Sequence, residues 1–434
     1  MAKKTVDRFT KAEKSWIFYD VANSAFTMLI STTIPLAFGL LMGMAQLSEA
    51  QQNSITSDFG LWGLTTSISV LIMAVLSPIL GAMADYEGMK KRSWAIALCF
   101  GLLGCMGMSF VNHWLGFLLL FLIARIGYTA ANMFYDSMLT DVTTDERMAR
   151  VSANGFAWGY IGSCIPFILC IVVLVVMGTD NIWGYRAGFL LTAVWWALCS
   201  IPTMKNVKQT HYLEKQPEGI KIRELFARLG RTFGKIKQDK SLLYFVLGYF
   251  CYIDGVYTVI AMATSYGAAL GLDTVSMILA LLVTQFVAFP CAIYTGNLAK
   301  KYGSLKLIKT FILMYIAISI FGMILSKNWH FWVLAVAVGL CQGGIQALSR
   351  SHFGQMIPKE ESNEYFGFFD IFGKFADFFG PMIIFLCTLI FKGQDALGID
   401  WGTRVGIGAL VILFIVGFVF VRKSEKALKE SGNP

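Results

Sequence analysis

Apolar runs of 18 or more residues follow one another almost from one end of the chain to the other. Each can cross about 30 Å of hydrocarbon as an α-helix. The runs are continuous rather than alternating, which excludes a membrane β-barrel. Only 15% of the 434 residues are charged and 56% are hydrophobic, whereas soluble domains carry about 25% charged residues. The expected fold class is all-α: a polytopic membrane protein with twelve transmembrane helices. The spans fall near 15–44, 58–84, 92–111, 114–139, 151–177, 183–203, 241–270, 274–299, 305–326, 329–356, 363–391 and 402–421.

The net charge of +9 could suggest a nucleic-acid partner, but its placement excludes one. Lys and Arg collect in short tracts on alternate loops, beginning with Lys3, Lys4, Arg8, Lys11 and Lys14. Lys90, Lys91 and Arg92 follow, then Arg147 and Arg150, then Lys300, Lys301 and Lys306, and last Arg422, Lys423, Lys426 and Lys429. The opposite set is nearly empty of positive charge, and the 45–57 loop has none. By the positive-inside rule both termini are cytoplasmic. There is no cleavable signal pattern, so the first span is expected to stay. The nine Cys residues lie in or at the ends of spans without a CxxC pair, and read as small packing residues rather than disulfides or metal ligands. No Asn-x-Ser/Thr sequon occurs, which fits a bacterial inner membrane.

The longest connection, 204–240, holds ten Lys or Arg against four Asp or Glu and includes Pro217 and Gly219. It separates an N-terminal six-helix bundle, 1–203, from a C-terminal bundle and tail, 241–434. Within it, Ile222, Leu225, Phe226, Leu229, Phe233 and Ile236 have helical apolar spacing with basic residues between. They read either as an amphipathic helix on the inner membrane surface or as a basic linker drawn to anionic lipid. The halves also repeat. Gly81 to Gly88 precedes Lys90, Lys91 and Arg92, and Gly296 to Gly303 precedes Lys306 at an offset of 215 residues; Pro166 and Pro381 share that offset. Two pseudo-symmetric six-helix halves are the expectation.

The string from Gly81 through Asp85 and Gly88 to Lys91 and Arg92, between the second and third spans, resembles the signature loop of the major facilitator superfamily. Its glycines permit close helix approach and a tight turn. Asp85 can accept from nearby helix N-termini or pair with Arg, locking one conformer. The resemblance implies a cytoplasmic gating latch made of Gly81, Asp85, Gly88, Lys91 and Arg92. The second copy carries Lys300 at the place of Asp85. Three further stretches, Tyr19–Phe26, Gly343–Ser351 and Glu364–Phe369, resemble the vacuole-effluxer branch of that superfamily, which includes fungal autophagy-related amino-acid effluxers and bacterial relatives. The resemblance spans about 15–422 and implies the major facilitator fold and, through the fungal members, amino-acid export. Val21 stands where this branch often has Trp.

An ionisable residue inside a span costs several kcal/mol unless paired or facing water. Asp20 and Asn23 share a face of the first span and read as a coupling-ion or substrate-amine site, or as a helix start near the headgroups. Arg125 lies mid-span in the fourth helix, with Asn132 on the same face and Asp136 one turn further. It suits a substrate carboxylate or phosphate, or a structural pair with an Asp elsewhere. Asp254 lies in the seventh span among Tyr249, Tyr252 and Tyr257, where Gly248, Gly255 and Gly267 are expected to weaken the helix. Asp370, Lys374 and Asp377 form one stripe of the eleventh span, a coupling cluster or a self-satisfied triad. His352 neighbours Arg350 near the end of the tenth. Gln285, Gln342 and Gln346 could line a cavity or bridge helices.

Together these point to a secondary transporter working by alternating access. The expected cargo is a small charged or zwitterionic solute, foremost an amino acid, and proton coupling is favoured with sodium as the alternative ion. A sugar–cation symporter with Trp16, Trp158 and Trp195 as stacking platforms, or a lipid or peptide-fragment exporter, is the runner-up. An enzyme is disfavoured: no H-E-x-x-H or G-x-S-x-G string occurs, and no ATP-binding loop. No cofactor or metal is called for. The expected partners are a small-molecule substrate and membrane lipid, with the chain as a monomer.

Overall fold

The computed structural model describes residues 8–44, 58–214, 222–269, 274–325, 327–393 and 401–431. It contains α1 (Lys11–Ser31), α2 (Thr33–Met44), α3 (Asp58–Ala84), α4 (Met89–Gly107), α5 (Trp114–Ser137), α6 (Leu139–Val142), α7 (Asp145–Met177) and α8 (Ile182–Asn206). After the central connection come α9 (Ile222–Gln238), α10 (Lys240–Ala269), α11 (Thr274–Tyr302), α12 (Ser304–Met323), α13 (Asn328–Met356), α14 (Ser362–Ile390) and α15 (Trp401–Glu430). Pro217, Gly219, Lys3, Lys4 and the 45–57 loop lie outside the described residues.

The helices fall on the expected spans, the bent pair α1–α2 forming the first. Among the described residues nine helices are long and apolar enough to cross a membrane, and α1–α2, bent by 40°, makes a tenth. The remaining two places are taken by α4, whose first turn carries Lys90, Lys91 and Arg92, and by α14, an unbroken helix of 29 residues. Gly248 and Gly255 do not break α10, which runs continuously from Lys240 to Ala269. They let α15 approach instead: a Cβ on Gly255 would stand 2.5 Å from the Phe414 ring. Small residues at a membrane-helix crossing serve packing, and this overrides their low helix propensity.

The chain forms two compact units. The first comprises Met1–Thr143, Trp158–Leu225 and Lys359–Gly367; the second comprises Thr144–Ala157, Phe226–Pro358 and Phe368–Pro434. In the first unit α1 packs on α8, α3 on α5, and α4 on both α5 and α8. In the second, α10 packs on α15, α11 on α13, and α12 on both α13 and α15. The four pairings are the same once the spans are renumbered by six.

The repeat extends to backbone and charge. Gly88 and Gly303, 215 residues apart, have φ of 70° and 83° and lead into α4 and α12; Gly178 and Gly393, again 215 apart, have φ of 91° and 108°. Such angles favour glycine. The last carbonyls of a helix have no intrahelical donor and carry partial negative charge. Arg186 of α8 donates to the Val111 carbonyl at 3.1 Å and to Asn112, just beyond α4. Arg404 of α15 donates to the Met323 and Leu325 carbonyls at 2.8 Å, at the end of α12. Replacing Arg404 with Ala leaves these carbonyls without a charged donor and should lower stability by about 2 kcal/mol. The readout is the thermal midpoint in detergent; an unchanged midpoint would mean that other donors serve them.

Candidate functional site

Asp85 ends the second span and is 0% exposed. Its carboxylate sits on the N-terminus of α14. Oδ1 accepts from the Asn363 backbone N–H at 2.8 Å and from Asn363 Nδ2 at 3.0 Å, and Oδ2 accepts from the Glu364 N–H at 3.3 Å. The first N–H groups of a helix lack intrahelical partners and attract negative charge, so one carboxylate satisfies both the donors and the dipole. Ser137 Oγ donates to the Asn363 side-chain oxygen. Close approach makes this possible. A Cβ on Gly81 would collide with the Asn363 carbonyl, and one on Gly367 would stand 2.6 Å from the Ser77 carbonyl. The helix N-terminus, one of the two partners the sequence allows for Asp85, is observed.

Gly88 supplies the turn after Asp85. Of the cations that follow, Lys91 is half-buried and Arg92 exposed, while Lys90 is 1% exposed. Lys90 Nζ lies 2.5 Å from Asp141 Oδ2 and donates to Ser362 Oγ at 3.0 Å. The motif did not single out Lys90, but helical phase does. Lys90, Trp94, Ala97, Leu98 and Gly101 form the buried stripe of α4, and Lys91 and Arg92 lie off it. Residues 207–213 then strap the loop. Leu213 donates to the Asp85 carbonyl at 2.9 Å and accepts from Glu87 N at 3.1 Å. Asp141 Oδ1 accepts the N–H groups of Thr210 and His211 at 2.8 and 2.9 Å.

Asp20 and Asn23 belong to a polar seam between α1 and α5. Tyr135 Oη donates to Asp20 Oδ2 at 2.7 Å, Asn23 Nδ2 donates to Asn132 Oδ1 at 2.9 Å, and Thr27 and Tyr128 share a hydrogen bond of 2.6 Å. As α1 advances through 20, 23 and 27, α5 retreats through 135, 132 and 128. The register is that of two antiparallel helices meeting along i, i+3, i+7 stripes. Trp16 closes the buried end, donating its indole N–H to the Tyr135 carbonyl at 2.8 Å and stacking on that ring at 4.4 Å. Arg125, half-buried, continues the α5 stripe one turn beyond Tyr128. Asp136 is half-buried beside Tyr135. Thr27, Tyr128 and Tyr135 escape a search for charges because they are neutral; the i, i+3, i+7 polar stripe of α5 is the signal that finds them.

In the second unit Asp254 is buried. Its Oδ1 accepts from the Gly380 backbone N–H at 3.0 Å and from Thr258 Oγ1 at 3.4 Å, joining α10 to α14 beside Pro381. Tyr249 stacks on Phe369 at 3.9 Å, and Tyr252 shares a 2.6 Å hydrogen bond with Ser349. Asp370 is half-buried on α14. Lys374 and Asp377 continue that helix, but their side chains lie outside the described residues. Arg350 of α13 holds α7 at its eighth residue, Ser152. Its Nε donates to Ser152 Oγ at 3.0 Å, Nη2 donates to the Ser152 carbonyl at 3.1 Å, and its guanidinium covers the Phe156 ring. Lys300, at the position of Asp85, is exposed.

Two measurements probe the latch. Asp85→Ala leaves two N–H groups of α14 without their acceptor, at about 1–3 kcal/mol each; faster hydrogen exchange at Asn363 and Glu364 is expected, and unchanged protection would show other acceptors. The His211 ring lies 3.5 Å from Asp141, which raises its pKa above the usual 6.5. A raised folded pKa gives stabilisation that is full below about pH 6.5 and is lost as pH rises through the folded value. The midpoint gap between wild type and His211→Gln should therefore be widest below pH 6.5 and close above it; a gap that widens with pH would reverse the assignment.

The chain matches the family model described as vacuole effluxer Atg22 like, over residues 10–148 and 140–423. A Bacillus subtilis (strain 168) protein named as an uncharacterized MFS-type transporter, YxiO, is 40% identical over 422 residues, covering 95% of each chain. Autophagy-related protein 22 of Kluyveromyces lactis is 22% identical over 88% of each. Two solved structures share the fold. The human organic anion transporter MFSD10 superposes with a TM-score of 0.71 at 12% identity, over 95% of this chain and 99% of its own. The proton:xylose symporter XylE gives 0.72 at 13% identity, over 95% of each. The protein is therefore an integral, multi-pass transporter of the major facilitator superfamily rather than an enzyme, and it belongs to the Atg22-like vacuole effluxer family.

Proposed function

We propose that this transporter moves an amino acid or a related small zwitterion by alternating access, driven by protons. The observation that carries the reading is the α1–α5 seam: a buried carboxylate, Asp20, that accepts from the Tyr135 hydroxyl at the head of a polar stripe that runs to Arg125. An ionised Asp20 only accepts hydrogen bonds, and a protonated one also donates. Proton binding there changes what Tyr135 can do and is a direct route from protonation to helix contact. Arg125 supplies a fixed positive charge for a substrate carboxylate. Asn23 is a rung of that seam, and Asp136 neighbours its Tyr135. Asp254, Asp370, Lys374 and Asp377 are the matching candidates on α10 and α14 for an amine or a second coupling step. Gly81, Asp85, Gly88, Lys91 and Arg92, with Lys90 added, form the latch on the cytoplasmic side. The protein works as a monomer in a bacterial inner membrane with both termini in the cytoplasm.

The test is flux through purified protein in liposomes, screened over amino acids, sugars and phospholipids with and without a pH gradient. Amino-acid flux that follows the gradient is expected; flux of sugar alone, or flux indifferent to pH, would overturn the reading. Asp20→Asn should abolish the response to the gradient, and Lys374→Ala should abolish flux without unfolding the protein. Asp85→Asn should slow turnover more than it weakens substrate binding. Weakened binding at unchanged turnover would make Asp85 a binding residue instead.

A further inference from the structure

The helix α9 matches none of the twelve spans, yet it is tied to the membrane at its last residue. It ends at Gln238, α10 begins at Lys240, and the intervening Asp239 caps α10 by accepting from the N–H groups of Ser241 and Leu242 at 2.9 and 3.1 Å. With one residue between them, α9 cannot leave the level at which α10 enters the bilayer. Its faces are sorted accordingly. Leu225, Arg228, Thr232 and Ile236 are buried against the protein. Beside that face, and seven residues apart, Phe226 and Phe233 are 57% and 55% exposed. Arg223, Arg231, Lys235 and Lys237 are exposed on the remaining arc. Phe233 also meets Phe368, seven residues into α14, with ring centroids 6.3 Å apart.

The same end of the second unit brings a second cationic element alongside. Ser424 of α15 donates to the Ser241 carbonyl at 2.8 Å, so the end of α15 lies against the start of α10. Tyr244 and Phe420 pair there at 6.2 Å, and the Lys423 ammonium sits 5.7 and 5.6 Å from their ring centres. Glu425 is occupied by Lys309 at 2.5 Å and Lys429 at 3.2 Å, while Arg422 and Lys423 are exposed. Below them Ile412, Ile415 and Val419 are exposed apolar residues of the span. Aromatic rings under a cation, over an apolar stripe, are what the headgroup layer selects. Exposed aromatics on a basic amphipathic helix mark insertion into the same layer.

We propose that α9, the start of α10 and the end of α15 form one binding site for anionic phospholipid, with Phe226 and Phe233 in the acyl region and Lys240, Arg422 and Lys423 on the phosphate. The site is independent of the cargo, so a failed flux screen leaves it standing. The test is native mass spectrometry of the full chain in detergent with equimolar phosphatidylglycerol and phosphatidylcholine of matched acyl chains. Preferential retention of phosphatidylglycerol is expected, falling about tenfold in a K240Q/R422Q/K423Q variant. It should also fall in F226S/F233S and stay unchanged in K327Q/K392Q, which removes exposed cations elsewhere in the unit. If the triple variant does not fold, the single exposed-site variant Lys423→Gln carries the test with a smaller loss in the same direction. Equal retention of the two lipids, equal loss in the control variant, or displacement of the lipid by millimolar inorganic phosphate would overturn the proposal.

Discussion

A hydrocarbon core holds no water to accept what a helix leaves unsatisfied, so every buried charge and helix end has to be answered by the protein itself. The Asp85 carboxylate on the first N–H groups of α14 is the clearest answer. It meets both the first donors and the dipole of α14, and it fastens a segment 278 residues away in sequence. Arg404 does the converse at the end of α12, placing its guanidinium on the Met323 carbonyl, and Arg186 holds the segment after α4 by Val111 and Asn112. Negative groups meet helix starts and positive groups meet helix ends, as the dipole requires.

The same logic explains the stretches that carry the family resemblance. The first, around Asp20 and Asn23, is one wall of the α1–α5 seam. The second includes Arg350, which binds Ser152 two turns into α7. The third begins with Glu364, whose backbone N–H meets Asp85. Each is a junction between helices. Segments 144–157 and 359–367 begin 215 residues apart, and each packs in the unit holding the group that fastens it, Arg350 or Asp85.

Much of this was legible in the sequence. Continuous apolar runs of 18 or more residues mark membrane helices because a helix of that length spans the hydrocarbon with its backbone bonds satisfied internally. The 215-residue offset is written in glycines, whose positive φ few other residues tolerate, and in prolines. Asp85 and Asp20 stand out because charge is rare in a span. What stayed hidden was pairing. Nothing local says that Asp85 finds Asn363, or that the inward-facing Lys90 meets Asp141. The neutral rungs Thr27, Tyr128 and Tyr135 become visible only when two helices are laid side by side in register. Gly248 and Gly255 misled for the same reason: their meaning is set by α15, far along the chain.

A carrier must exchange at least two conformations, and the proposed latch requires that this exchange make and break the Asp85 junction. The most direct measurement is the distance distribution between spin labels at Glu87→Cys and Glu360→Cys, two exposed positions flanking that junction, in otherwise cysteine-free protein. A working latch predicts a short and a long population whose ratio shifts with pH, and Asp85→Asn should enrich the long one. A single distance, unchanged by pH and by the Asp85 substitution, would contradict it.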